Sequence, residues 1–310
     1  MPEPDLAAAF RARQVRALAR SISLVERRDP GVPALLAAVG ADATRPPVLG
    51  FTGAPGSGKS TLVDALIQRH RAAGRRVAVL AVDPNSPFSG GAILGDRIRM
   101  QRHAGDDGVF IRSMGARGHL GGLSLAAREA LRLVGAFGFD RVLVETVGVG
   151  QSELGIAGVA DLTVVVLSPG QGDSVQMLKA GIMEIGDLFV VNKADLPAAQ
   201  RTLQEVRAML NLAPRARGEA RLPIVATDAL SGEGVDELLS TIDRRREQLA
   251  ASGELERRRR GELVEEATDL VGERARGLAR RRLAEEPALL AEDSPYAAAE
   301  VILRDLGPAG

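Results

Sequence analysis

A glycine-rich segment between residues 53 and 61 has the composition of a phosphate-binding loop. The segment is Gly53-Ala54-Pro55-Gly56-Ser57-Gly58-Lys59-Ser60-Thr61, which fits the pattern G-x-x-x-x-G-K-[ST]. Its glycines let backbone N–H groups converge on phosphate oxygens, and a helix that begins here adds a favourable dipole. Lys59 is predicted to reach the β- and γ-phosphates of a nucleotide, and the Ser60 hydroxyl to bind Mg²⁺. The alternative is a glycine-rich turn without a ligand.

A second motif, Asn192-Lys193-Ala194-Asp195, is typical of guanine recognition. The carboxylate of Asp195 can accept two hydrogen bonds, from guanine N1–H and from the exocyclic amine, whereas adenine cannot donate that pair. The stem of Lys193 is predicted to pack on the ring face, and Asn192 to brace the loop. Because the motif follows a predicted strand downstream of the phosphate loop, it favours GTP and GDP over ATP. On its own the tetrapeptide could also be a helix cap with an exposed lysine.

Two acidic residues follow predicted strands and are candidates for holding Mg²⁺ or orienting an attacking water. Asp83 closes one strand and, in a parallel sheet, would lie beside the phosphate loop; the alternative is a helix cap. Glu145 begins the sequence Glu145-Thr146-Val147-Gly148, in which the N–H of Gly148 would sense the γ-phosphate. The commoner pattern is Asp-x-x-Gly. The longer side chain of Glu145 predicts contact through water rather than direct metal ligation.

Lysine is rare in this chain. Of the 40 lysines and arginines, only three are lysine: Lys59, Lys179 and Lys193. Where either side chain would serve, such a bias replaces lysine by arginine, so a retained lysine predicts a need for an ammonium group. Two of the three lie in the motifs above. Lys179 is therefore a further functional candidate, with an ordinary surface lysine as the alternative.

Seven short apolar runs alternate with helical stretches from residue 48 onward. The runs are continuous in apolar character, which is typical of strands buried on both faces of a parallel sheet. The helices between them predict βαβ crossovers and a doubly wound, mostly parallel α/β sheet. The predicted strands are Val48–Thr52, Arg76–Val82, Val109–Ile111, Val142–Glu145, Leu162–Leu167, Leu188–Asn192 and Ile224–Ala226.

Helical segments flank this region on both sides. Residues 5–40 carry apolar side chains at roughly 3.6-residue spacing, and residues 251–286 resemble a long, charge-laced helix with a narrow apolar stripe. Such a stripe needs a partner surface. We therefore expect an N-terminal helical extension (1–45), a nucleotide-binding domain (46–245) and a C-terminal helical arm (246–310). The run Arg257–Arg260 is expected to lie on a solvated helix face, because neighbouring acids cancel its charge.

The composition excludes several classes of protein. The formal net charge is zero, which disfavours a protein that coats nucleic acid or an anionic membrane. Cysteine is absent, so disulfides and thiolate metal sites are excluded. There is neither a signal-peptide pattern nor an uncharged apolar run of membrane-spanning length, and we expect a soluble, cytoplasmic chain. The three histidines lack metal-ligand spacing, and His70 and His103 are expected on helix surfaces.

Residues 50–195 resemble the MeaB/ArgK/MMAA family of GTPases. The matching stretches are VDPNSPFSGGAILGDRIRM (82–100), IRSM (111–114), RGHLGG (117–122), VETVGVGQSE (144–153) and SPGQGD (168–173). The resemblance implies a SIMIBI-like P-loop GTPase domain that binds GTP or GDP with Mg²⁺. It also implies a metallochaperone for an adenosylcobalamin-dependent acyl-CoA mutase, with slow GTP hydrolysis that the mutase stimulates. The family forms homodimers through a C-terminal arm, and an adenosyltransferase is a further candidate partner.

The same resemblance assigns roles to individual residues. Asp83, Asp96 and Glu145 would be the acids around Mg²⁺ and the nucleophilic water. Residues 86–96, 145–153 and 171–179 would be three switches, the last contacting the mutase through Lys179. Ala229 and Leu230 would contact the nucleotide from the last guanine-loop motif. That motif departs from the usual pattern, because Asp228 stands where serine is common, and this puts its role in base contact in doubt.

Two other functions remain open from the sequence. One is a protein kinase of an amino-acid transport system, which the guanine motif disfavours because kinases generally use ATP. The other is a scaffold that binds GTP without hydrolysing it. If the chaperone assignment holds, the client could be a methylmalonyl-, ethylmalonyl- or isobutyryl-CoA mutase.

Overall fold

The computed structural model describes residues 4–40, 45–83, 103, 105–115, 125–146, 155–170, 182–212, 221–290 and 294–305. The chain divides into two compact units, Met1–Arg259 and Arg260–Gly310. Within the described residues, no helix combines the length and the apolar character needed to cross a membrane.

The first unit is built on a seven-stranded sheet in the order β3-β2-β4-β1-β5-β6-β7. Every pairing is parallel, which confirms the predicted doubly wound α/β sheet. All seven predicted strands are present, with bounds that differ from the predictions by up to four residues. They are β1 Val48–Thr52, β2 Val77–Asp83, β3 Val109–Gly115, β4 Arg141–Thr146, β5 Leu162–Leu167, β6 Leu188–Asn192 and β7 Ile224–Thr227.

Helices cover both faces of the sheet. The helices of the first unit are α1 Pro4–Arg11, α2 Val15–Arg27, α3 Val32–Ala38, α4 Lys59–Ala72, α5 Leu125–Ala136, α6 Ala199–Leu212 and α7 Val235–Ala251. Two more follow: α8 Glu254–Glu285, which belongs to the second unit from Arg260 onward, and α9 Pro295–Asp305, which lies within that unit. Single helical turns lie at Ile156–Gly158, Met183–Ile185 and Pro287–Leu290. One apolar cluster joins α1, α2, α3 and α5 to the sheet, and a second joins α4 and α7 to it. The N-terminal helices therefore share their core with the sheet.

The region 5–40, predicted to be helical, consists of three helices. Phe10 of α1 packs edge-on against Phe137, with ring centroids 5.2 Å apart. Arg13, in the link between α1 and α2, has a φ of +60° and places its guanidinium 5.6 Å from the centroid of the Phe137 ring. Val15, one of the apolar residues of this segment, is 41% exposed. The break at residue 13 shifts the helix phase, so one apolar period cannot cover the whole segment.

The run Arg257–Arg260 begins at the first unit's C-terminal end, where two of its members form ion pairs with buried carboxylates. Arg258 donates two hydrogen bonds, of 2.8 and 2.9 Å, to Asp187, and Arg259 donates two, of 2.9 and 2.8 Å, to Asp161. Both carboxylates are almost fully buried. The expected solvated helix face is therefore wrong for Arg258 and Arg259, because each guanidinium pairs with a buried carboxylate. Removing either guanidinium would leave that carboxylate without its main counter-charge.

Two histidines that were expected on helix surfaces are buried instead. His70 lies on α4, and burial, followed by the charges of Arg141 and Arg75, lowers the pKa of His70 from 6.5 to about 4. Its imidazole is therefore neutral at pH 7. His103 Nε2 lies 2.7 Å from Asp64 Oδ1, and both side chains are buried. A lone histidine carries no sequence signal that separates a buried helix face from an exposed one.

Candidate functional site

The phosphate loop connects β1 to α4, and its glycines occupy positions where a side chain would not fit. Gly53 has a φ of +142°, and a Cβ there would lie 2.0 Å from the carbonyl oxygen of Val166 in β5. Gly58, the residue before α4, has a φ of +91°, and a Cβ there would lie 2.3 Å from Nδ2 of Asn192. Glycine is needed at both positions because other residues rarely adopt such φ values and the space is filled. The backbone of the loop therefore requires glycine at both positions.

Lys59 begins α4, and its side chain folds back over the loop. Its Nζ donates hydrogen bonds to the carbonyl oxygens of Gly53 at 2.6 Å and Ala54 at 3.1 Å. The ammonium is thus held at the mouth of the loop, where backbone N–H groups and the start of α4 favour an anion.

Glu145 places a carboxylate next to the first turn of α4. It lies in β4, in register with Phe51 of β1 on one side and Ala81 of β2 on the other. The hydroxyl of Ser60 donates a hydrogen bond to Oε1 of Glu145, and both residues are buried. A hydroxyl beside a carboxylate is an oxygen donor set of the kind that Mg²⁺ prefers. The residues present therefore fit a magnesium ion.

The side chain of Asn192 joins the phosphate loop to the base-recognition loops. Its Nδ2 donates to the carbonyl oxygen of Ser57 at 3.0 Å. Its Oδ1 accepts hydrogen bonds of 3.1 Å from the Thr227 hydroxyl and from the Ala229 amide. One buried amide thus connects the ends of β6 and β7 to the loop after β1, as expected of a bracing residue.

The next residues of this motif lie at the rim of the site. Lys193 has a φ of +58°, and its Nζ donates to the carbonyl oxygen of Gly56 at 2.8 Å. The Ala194 amide donates to the carbonyl oxygen of Thr227 at 3.0 Å. Asp195 is exposed and so is accessible to a ligand. The motif therefore lies next to the phosphate loop. A single site that binds both the base and the phosphates of one nucleotide requires this arrangement.

Several predicted site residues lie outside the described residues. Asp96, Gly148 and Lys179 are among them, as are residues 86–96 and 171–179. Asp83 is the last residue of β2, paired in register with Gly115, and only its backbone is described. Thr61 follows Ser60 in the first turn of α4, while Ala229 is buried and Leu230 is 88% exposed.

Sequence reasoning missed the role of Thr227. Its buried hydroxyl orients the amide of Asn192, and the two residues face each other in the β6–β7 register. A threonine that ends the strand before the last guanine-loop motif is a weak signal. It becomes informative only when β6 and β7 are known to be neighbours.

Comparison with known proteins agrees with this geometry. Residues 18–284 match the family "Methylmalonyl Co-A mutase-associated GTPase MeaB". A relative in Pyrococcus abyssi is 44% identical over 300 residues, covering 94% of this chain and 93% of that protein. GTPase ArgK of Escherichia coli is 41% identical over 258 residues, covering 80% and 77%. The mouse mitochondrial methylmalonic aciduria type A homolog is 40% identical over 214 residues, covering 68% and 52%.

A solved structure shares the fold over nearly the whole chain. The structure titled "LAO/AO transport system kinase" superposes with a TM-score of 0.71 at 28% sequence identity, covering 97% of this chain and 96% of that one. The family match spans most of the chain and includes the phosphate loop, Glu145 and the guanine motif. The chain therefore belongs to the family of methylmalonyl-CoA mutase-associated GTPases, MeaB.

Proposed function

We propose that this GTPase hydrolyses GTP to GDP and phosphate with Mg²⁺ and acts as a chaperone for an adenosylcobalamin-dependent acyl-CoA mutase. The observation that carries the hydrolytic part is the continuous site at the carboxyl edge of the sheet. Lys59 and Ser60 lie at one end of it, Glu145 beside them, and Asn192 links them to the base loop. Lys59 would bind the triphosphate, Ser60 and Glu145 the metal, and the loop that begins at Asn192 the base of one nucleotide.

The chemistry is attack of water on the γ-phosphate in line with the leaving oxygen. Lys59 and the loop N–H groups orient the phosphates and neutralise charge, which is the main catalytic contribution of a protein to such a reaction. Ser60, Asp83, Asp96 and Glu145 would hold Mg²⁺, which supplies charge neutralisation when bound. Glu145 would also orient the attacking water through its carboxylate. The Gly148 N–H would contact the γ-phosphate.

The chaperone part rests on family membership. The family is named for its association with methylmalonyl-CoA mutase, and the mouse relative is named for methylmalonic aciduria. We propose that GTP hydrolysis gates cobalamin loading of the mutase and protects it, with an adenosyltransferase as a further partner. We place this activity in the cytoplasm.

Turnover with and without the client tests the proposal. GTP hydrolysis is measured for the chain alone and across a titration with methylmalonyl-CoA mutase. We expect slow release of inorganic phosphate alone and faster release with the mutase. Release that the mutase does not change would contradict the chaperone role, and single-turnover experiments without any release would favour a GTP-bound scaffold.

A kinase is the second candidate, because the solved structure that shares this fold is titled a transport system kinase. Thin-layer separation of products from γ-labelled GTP and ATP distinguishes the two. A GTPase yields inorganic phosphate from GTP, whereas a kinase yields labelled protein. The guanine motif favours the first outcome.

Lys179 is expected to be essential for stimulation and dispensable for basal turnover. We propose that the mutase brings its ammonium toward the γ-phosphate only in the complex, and a cation supplied in this way is worth about 10³-fold or more in related systems. Lys179→Ala should therefore keep the slow basal rate and lose the stimulation, while Lys179→Arg, which keeps the charge, should retain part of it. Turnover across a mutase titration measures both. If the mutase stimulates Lys179→Ala as strongly as the wild-type chain, Lys179 has no role in the stimulation.

We further propose a homodimer, with residues 1–45 as helical extension, 46–245 as GTPase domain and 246–310 as the arm. In α8, Leu263, Val264, Val271 and Leu278 are more than two-fifths exposed. Val264, Val271 and Leu278 recur at seven-residue spacing and so share one helix face. Exposed apolar side chains at this spacing are typical of a helix that packs against another helix.

The dimer is expected to dissociate when this face is interrupted. Val271→Asp should give a monomer by light scattering, because a charge would then be buried in an apolar contact. Ala284→Asp is the control, since Ala284 is exposed and lies about 140° around α8 from Val271. A chain ending at Arg260 keeps the ion pairs of Arg258 and Arg259 and should be a monomer that still binds GDP. Persistence of the dimer in both variants would place the interface elsewhere.

A further inference from the structure

Asp64 and His103 form a buried polar pair to which the chemistry described so far gives no part. Nε2 of His103 donates a hydrogen bond of 2.7 Å to Oδ1 of Asp64, because a carboxylate oxygen accepts. Nε2 of Gln68 donates one of 3.1 Å to Oδ2. Both members of the pair are buried. Burying an imidazole and a carboxylate costs free energy unless they are hydrogen-bonded, so each side chain holds the other in place.

The pair connects α4 to the pre-β3 turn, which consists of His103 and residues 105–108. This turn makes a second contact with α4, because Arg71 donates two hydrogen bonds of 2.8 Å to the two carboxylate oxygens of Asp106. The Asp106 amide donates to the carbonyl oxygen of His103 at 3.0 Å. Asp64 and Arg71 are seven residues apart on α4 and so lie on one face of the helix. The turn is therefore attached to that face at two points.

The position of Asp64 on α4 brings this attachment close to the proposed metal site. Asp64 lies four residues after Ser60, which is one helical turn or about 6 Å along the helix axis. The Ser60 hydroxyl donates a hydrogen bond to Glu145, and both residues are proposed to hold Mg²⁺. His103 is thus tied to α4 about one turn from the hydroxyl that would bind the metal.

His103 also marks the end of the stretch of chain that carries Asp96. Asp83 fixes the start of this stretch, because it is the last residue of β2 and pairs in register with β3. His103 fixes its end on α4. Asp96 lies outside the described residues and precedes His103 by seven residues. A metal-binding residue on a chain that is fixed at both ends has less conformational freedom to lose when it binds.

We propose that His103 is a positioning residue for the Mg²⁺ site: through Asp64 it fixes the stretch that carries Asp96 next to α4, without touching metal or nucleotide. This inference rests on the proposed Mg²⁺-dependent function and on the role proposed there for Asp96. Loss of the contact should weaken the part of nucleotide binding that depends on Mg²⁺. Binding without Mg²⁺ should not change, because the phosphate loop and the guanine motif provide it.

Calorimetric titrations of guanylyl imidodiphosphate, a GTP analogue that resists hydrolysis, test this with Mg²⁺ and with EDTA in place of Mg²⁺. For His103→Ala we expect the affinity with Mg²⁺ to fall by about tenfold, the factor that one hydrogen bond to a charged group is worth. The affinity in EDTA stays the same. The Mg²⁺ concentration that gives half-maximal GTP turnover should rise as well. His103→Gln can donate from an amide nitrogen at the place of Nε2 and should recover most of the loss.

Glu129→Gln is the control for a purely structural effect, because the buried Glu129 pairs with Arg28 at 2.8 Å and lies on α5. Thermal unfolding measures the structural cost of each variant. We expect both variants to lower Tm and only His103→Ala to change the ratio of the affinities with and without Mg²⁺. His103→Leu fills the same space without a donor and gives the same comparison if the alanine variant does not fold.

Two results would overturn the inference. One is an unchanged ratio in both His103→Ala and His103→Leu, and the other is an equal change of that ratio in Glu129→Gln. Either would mean that the pair of His103 and Asp64 stabilises the fold and does not position the metal site. A wild-type chain whose affinity for the analogue does not respond to Mg²⁺ would instead overturn the proposed function.

Discussion

Replacing Lys59 by alanine is expected to weaken GTP binding by about 100-fold or more, and GDP binding by about tenfold or more because GDP lacks the γ-phosphate. A hydrogen bond to a charged group contributes about 1.5–3 kcal/mol, and the ammonium can make one to each of two phosphates. Each 1.4 kcal/mol is about tenfold in affinity, so losing both contacts reaches that range. The carbonyl oxygens of Gly53 and Ala54, which accept from Lys59 now, would also lose their donor. Titration calorimetry with GDP and a GTP analogue measures the effect.

Glu145→Ala is compared with Lys59→Ala because the two variants should separate nucleotide binding from turnover. It should keep most of the nucleotide affinity and lose turnover, because Glu145 contacts the Ser60 hydroxyl and its proposed role is to position water and metal rather than to bind a phosphate. Loss of a transition-state contact lowers turnover without an equal loss of binding. Thermal unfolding of both variants checks that each is folded. Tight GTP binding by Lys59→Ala, or full turnover by Glu145→Ala, would contradict these roles.

Asp195→Asn is expected to exchange guanine for xanthine selectivity. The amide keeps one acceptor, for N1–H, and presents a donor where the carboxylate presented its second acceptor. The 2-amine of guanine therefore loses its partner, while the 2-oxo group of xanthine gains one. Sites built to hydrogen-bond a particular group reject an analogue that cannot pair by large factors, and we expect GDP affinity to fall by about 100-fold or more. The exposure of Asp195 at the rim of the site makes a structural effect on the core small.

Titrations with GDP, XDP and ADP measure this exchange. Asp107→Asn is the control, because Asp107 is also exposed and lies just before the amino end of β3, whereas Asp195 follows the carboxyl end of β6. It should leave all three affinities unchanged. Equal binding of GDP and ADP by the wild-type chain would remove the basis of the assignment, and an Asp195→Asn variant that still prefers GDP to XDP would move base recognition to another residue.

The order of elements could be predicted because its signals are local. Each strand is a short, continuous apolar run, such as Leu162–Leu167. Every residue of that strand is buried, whichever face of the sheet its side chain is on. The signal for the phosphate loop is equally local. Gly53 and Gly58 are five residues apart, and both adopt positive φ values that favour glycine. The fold class and the two nucleotide motifs therefore follow from the sequence by itself.

The side-chain network of the site could be predicted only in part. The sequence indicates that Asn192 braces a loop, yet its partners Ser57 and Thr227 come from distant parts of the chain. Asp228 shows the same limit. Its departure from the usual serine is visible in the sequence, but the Asx-turn that it closes is a property of the folded loop.

Only the tertiary structure decided which elements are neighbours. The order β3-β2-β4-β1-β5-β6-β7 places Glu145 beside β1 and brings Asn192 to the phosphate loop, and it depends on packing between residues far apart in sequence. The same holds for His70 and for Arg258, which the sequence places on exposed helix faces. Burial of a polar side chain depends on the presence of a distant partner or covering surface, here Asp187 for Arg258, and helical periodicity carries no information about either.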